Sequence, residues 1–167
     1  MPAGVLLASL IRSVTPHLYD VAMSKFHPSG PHKSTSRTRL RCVDRGHRRA
    51  LVDELEPATR ALHVEVLRVT LAEGVPVNPG ALAIVLSAHD ERAPQPLLFT
   101  ANDVTELLWF GVAEFCEEYG LEVPAGCSDA LHAVLAIGDA TGQLHPDSDS
   151  PRTLFNAFRE LAANARI

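Results

Sequence analysis

The chain has 167 residues, 46% of them hydrophobic and only 5% aromatic. That suits one domain with a core of Ala, Leu and Val. Its net charge of −5 is unevenly spread: residues 1–49 hold nine Lys or Arg against two acids, and residues 50–167 hold six against eighteen. The two parts therefore carry +7 and −12. A body at −12 repels phosphate backbones, which excludes it as a nucleic-acid surface and leaves that role to the N-terminal part alone.

The chain begins with an apolar run, "AGVLLASLI" (Ala3–Ile11). No Lys or Arg precedes it and Arg12 follows it, the reverse of a secretory signal. Nine residues are also far short of the ~20 that a membrane span requires. Three cysteines, Cys42, Cys116 and Cys127, are unpaired in number and spacing. They fit a reduced, intracellular protein, and the expected location is the cytoplasm, with no membrane partner.

From Ser24 to Arg49 no periodic apolar face is present. Too little apolar surface is available to offset the entropy of ordering the segment. Residues 1–49 are therefore expected to be poorly ordered, with a basic arm over residues 25–49, and a helical domain is expected over 50–167. Within the arm, Lys33, Arg37, Arg39, Arg41, Arg45, Arg48 and Arg49 are the candidate phosphate contacts. Base-stacking aromatics are missing apart from Phe26, which limits such binding to a weak, sequence-blind mode.

The body reads as five helices. "ALVDELEP" enters it as a short helical turn, and Pro57 opens a helix that Gly74 closes. Val64, Val66, Val69 and Thr70 in this stretch offer a strand alternative, but sixteen residues without a turn signal favour the helix. Asn78 and Pro79 start a second helix, whose residues Ala81–Ala88 are almost wholly apolar and hence central. Thr100 and Asp103 form a capping pattern for a third, ended by Gly120. At about 100° per residue its stripe is Val104, Leu107, Leu108, Gly111, Val112, Phe115 and Tyr119. Trp109 flanks that stripe, and Phe110 falls outside it near Glu114 and Glu117. Ser128 is the expected cap of a fourth helix with stripe Leu131, Val134, Leu135 and Gly138. Ser150 and Pro151 open a fifth, with stripe Leu154, Phe155, Phe158, Leu161 and Ala162. The expected fold is all-α, an irregular bundle of about five helices with a disordered basic N-terminal arm.

No constellation of catalytic residues withstands scrutiny. His27, His32, Cys42 and His47 are spaced H-x4-H-x9-C-x4-H, without the close cysteine pair of zinc fingers. Ser87, His89 and Asp90 carry the letters of a hydrolase triad, but neighbours on one helix do not aim at one another. "HPDSDS" (His145–Ser150) lacks the glycine and distant glutamate of a calcium loop, and reads as a turn into a capped helix. The helix "PGALAIVLSAHDE" has no Lys or Arg, which rules it out as a DNA-recognition helix. No metal, cofactor or catalytic residue is therefore assigned. An enzyme would require His63, His89, His132 or His145 to meet carboxylates in a deep pocket. The reading that remains is a non-enzymatic module that binds another protein, or a second copy of itself, through Trp109 and Phe110. The alternative is a nucleic-acid accessory protein acting through the basic arm.

Overall fold

The computed structural model describes residues 40–164. Six helices form there: α1 (Arg45–Asp53), α2 (Pro57–Ala72), α3 (Pro79–Arg92), a long helix in three parts, α6 (Cys127–Ala140) and α7 (Pro151–Asn164). The three-part helix comprises α4 (Ala101–Glu106), a π-helical turn (Leu107–Gly111) and α5 (Val112–Glu118), joined without a break. No strand is present among the described residues, which hold one isolated parallel bridge, Arg41 to Leu121. The all-α expectation holds. No described helix is long and apolar enough to cross a membrane.

Sequence places α3 at the centre. Every residue from Gly80 to His89 is buried, so that stretch of the helix has no solvent face. Asn78 Oδ1 accepts from Gly80 N at 3.0 Å, and Pro79 occupies the first turn, where its missing N–H costs nothing. Around α3 pack α1, α2, the π turn, α5 and α6; α4 packs against α7, which also meets α6. A methyl group added to Gly138 of α6 would lie 2.5 Å from Leu144 Cδ2 and 3.3 Å from Leu62 Cδ2. Any larger residue would have to displace Leu144, so the glycine lets the 141–150 loop press onto the α2–α6 seam.

Side chains from one element cap the next. Asp90, near the end of α3, accepts from Glu56 N at 2.9 Å and from the fully buried Thr59 hydroxyl at 2.7 Å, fixing the start of α2. Arg60 of α2 reaches back to the end of α1, donating to Asp53 O at 2.7 Å and Leu55 O at 3.2 Å. A cation there offsets the negative end of the α1 dipole. Thr100 and Asp103 form the reciprocal capping box expected for α4. Asp149 also accepts from Ala101 N at 2.8 Å, and Ser148 Oγ from Phe99 N at 3.1 Å. The acids of "HPDSDS" thus include a second cap for α4. Leu97, at φ +59°, adopts a left-handed conformation rare for a leucine. It is buried, and its carbonyl accepts from His145 N at 2.9 Å.

Three expectations are corrected. First, the boundary at residue 50 falls inside α1. Asp44 accepts from His47 N at 2.9 Å as N-cap, and α1 packs on α3 with Val43, Leu51 and Val52 against the core. Arg41 exchanges hydrogen bonds with Gly120 O (3.0 Å) and Glu122 N (2.8 Å). Order therefore reaches Leu40, and the rest of the expected disordered arm lies outside the described residues. Second, Tyr119 leaves the buried stripe. It stands at the helix end, half exposed, and its hydroxyl donates to Glu91 at 2.7 Å. Third, α6 starts at Cys127 behind Gly126, not at a Ser128 cap.

Replacing Asp90 with Ala orphans the Thr59 hydroxyl and the Glu56 N–H together. The expected loss is about 1–3 kcal/mol of unfolding free energy, measured by denaturant titration. Asp90→Asn, which keeps an acceptor oxygen, is expected to lose less.

Candidate functional site

The π turn inserts one residue into an otherwise regular helix: Val112 N bonds to Leu107 O, five residues back. It buries Leu107, Leu108 and Gly111 and turns Phe110 out to solvent, 55% exposed. Trp109 is half-buried against the core, its ring centroid 6.4 Å from that of Phe110 at an interplanar angle of 47°. Two adjacent aromatics thus divide the work, one anchored and one offered.

The surroundings of Phe110 are acidic. Glu106 and Glu114 stand one turn before and after it, with the exposed Glu117 beyond. Arg92 lies across the back of the turn, 3.2 Å from Glu114 and 3.6 Å from Glu106. Gly111 makes room for it, since a methyl group there would sit 3.3 Å from Arg92 Cδ. One guanidinium serving two carboxylates leaves a negative charge beside the ring, and Glu117 adds a second. Among the described residues this is a place where a large apolar side chain, an anchoring aromatic and excess charge coincide.

The basic candidates fare differently. Lys33, Arg37 and Arg39 lie outside the described residues. Arg41, Arg45 and Arg49 are exposed. Arg48 is half-buried and close enough to His63 to disfavour its protonation. Arg45, Arg48 and Arg49 sit in the first turns of α1, where the helix dipole already supplies positive potential. Of the histidine and cysteine set weighed for zinc, Cys42 donates to Glu122 at 3.2 Å and His47 meets Asp44 at 2.9 Å. Among the described residues no group of three His, Cys, Asp or Glu could hold a metal ion.

The candidate histidines do not converge. His89 stacks on Phe99 with ring centroids 3.7 Å apart and planes 7° from parallel. Burial pulls its pKa down to about 4, against the partial opposition of Asp103 and Asp90. His132 lies among Phe155 and Phe158 at 4.9 and 5.5 Å, and burial pulls it to about 4 as well. His63 is lowered by burial and by Arg48. His89, in the stretch 87–90 that carries the letters of a triad, is used to stack on Phe99, while Asp90 caps α2. A feature without sequence signal is an open cleft of about 380 Å³ between α4 and α7, lined by Asn102, Thr105, Thr153, Asn156 and Glu160 with Ala101 and Ala157. Among the described residues that line it, Glu160 is the only ionisable group, and the others offer hydrogen-bonding amides and hydroxyls beside two alanines.

No protein-family model, no curated protein and no solved structure matches this chain.

The neutral buried histidines set a pH dependence. Their folded pKa values lie below the unfolded value of about 6.5, so the unfolded chain binds more protons between 6.5 and about 4. Stability is full above pH 6.5 and falls as pH drops through this window, by on the order of 3 kcal/mol apiece for His89 and His132. Thermal midpoints recorded across pH 4–8 check the slope. His132→Leu, which cannot take up a proton, should flatten it.

Proposed function

We propose that this protein is a non-enzymatic interaction module of the cytoplasm, which binds a basic protein partner through Phe110 and Trp109. The observation that carries the reading is the outward Phe110 ring, held on a π turn and braced by the half-buried Trp109. Exposed aromatics with a rigid base are the usual anchors of protein interfaces, and π turns cluster at functional positions. Excess carboxylate around the ring sets the sign of the partner: Lys or Arg beside an aliphatic or aromatic anchor. The same charge disfavours a second copy at this face, because like charges would be brought together. Cys42, Cys116 and Cys127 form no disulfide with one another, which supports a reducing location.

The test is nuclease-treated co-purification from the native host, comparing wild type with Phe110→Asp. Wild type is expected to retain a protein at fixed stoichiometry, released by raised salt, and Phe110→Asp to lose it with an unchanged melting curve. Equal retention by both proteins contradicts the reading. So does a parallel purification without nuclease that recovers nucleic acid alone, lost on deletion of residues 25–39, which would favour the basic arm.

A further inference from the structure

The two most exposed large apolar side chains among the described residues are neither Phe110 nor Trp109. They are Leu71 at 85% and Val64 at 59%, both on α2. This helix buries Thr59, Leu62, His63, Val66 and Thr70 and packs on α3 and α6. At about 100° per residue, Ala61, Val64, Glu65, Arg68, Leu71 and Ala72 fall within roughly 120° of arc opposite that buried side. The spacing 61, 64, 68, 71 follows the three-and-four alternation of a helix-pairing seam. A surface helix ordinarily carries charge there; this one carries a leucine almost fully in water.

We propose that the outer face of α2 pairs antiparallel with the same face of a second copy, across a two-fold axis that crosses the helix between Glu65 and Arg68. The charge pattern selects this occupant. Glu65 and Arg68 are the only charges on the face, and within one chain they form a two-pronged pair, with Arg68 Nε donating to Glu65 at 3.0 Å. An axis midway between them sets each Glu65 opposite the Arg68 of the other copy, so the pair is self-complementary under two-fold symmetry. The same axis sets Ala61 opposite Ala72, where small side chains let the helices approach, and brings Val64 within half a turn of the other copy's Leu71. The described body, residues 40–164, holds nine Lys or Arg against nineteen acids, a net −10, and so tends to repel its own copy. At this balanced face that repulsion is small. One helix pair offers less than the ~1,200 Å² of a standard interface, so the dimer is weak and concentration-dependent.

Sedimentation velocity of the full chain over a concentration series, from micromolar to several hundred micromolar, tests the proposal. Wild type is expected to shift from monomer to dimer. Leu71→Glu, at a side chain that supports nothing within the fold, should weaken dimerisation by about tenfold or more with an unchanged melting curve. Glu65→Arg and Arg68→Glu should each remain monomeric alone, because their seams carry like charges, and a mixture of the two should restore dimer as a heterodimer. A wild type that stays monomeric throughout, a dimer indifferent to Leu71→Glu, or a mixture that fails to pair would each overturn it.

Discussion

The fold depends on one constraint: along most of its length α3 has no side that faces water. Ten consecutive residues, Gly80–His89, are buried, and a helix apolar all round is stable in water only when enclosed. Five elements supply the enclosure, from α1 and α2 on the N-terminal side to the π turn, α5 and α6 on the other. The polar residues at its C-terminal end then serve its neighbours. His89 lies flat on Phe99, Asp90 caps α2, and Arg92 crosses the π turn to Glu106 and Glu114. The geometry around Phe110 is in this sense an extension of the central helix, since the guanidinium that braces the turn is the last residue of α3.

A shared logic joins the two proposed surfaces. The body carries a large negative charge, so a partner that docks on an exposed apolar group there has to tolerate or require that charge. Phe110 sits among unbalanced carboxylates and suits a cationic partner. Leu71 and Val64 flank a balanced Glu65–Arg68 pair and suit a copy of the same chain. A dimer through α2 would present two Phe110 faces at once, which raises the apparent affinity for a partner with repeated basic segments.

Most of the helical framework was legible because local chemistry agreed with tertiary packing. Pro57, Asn78–Pro79, Thr100–Asp103 and Ser150–Pro151 mark helix starts that the structure retains, give or take a residue. α1 was illegible for a physical reason. Its own residues offer few apolar contacts, and what fixes it comes from afar: Arg60 at its end, and Gly120 and Glu122 on the segment before it. The π turn leaves no mark in a 100° wheel, yet Phe110 still fell outside the stripe because its neighbours on that side are glutamates. The outer face of α2 was hidden by composition. Leu62 and Val66 point inward while Val64 and Leu71 point outward, and sequence alone does not say which apolar side the core takes.

Amide hydrogen exchange tests the centrality of α3 most directly. The amides of Leu82–Ser87 are expected to exchange only through global unfolding, more slowly than those of any other described helix, with α1 opening first. Exchange of this segment at the rate seen for α1, or protection highest in α7 instead, would contradict the account.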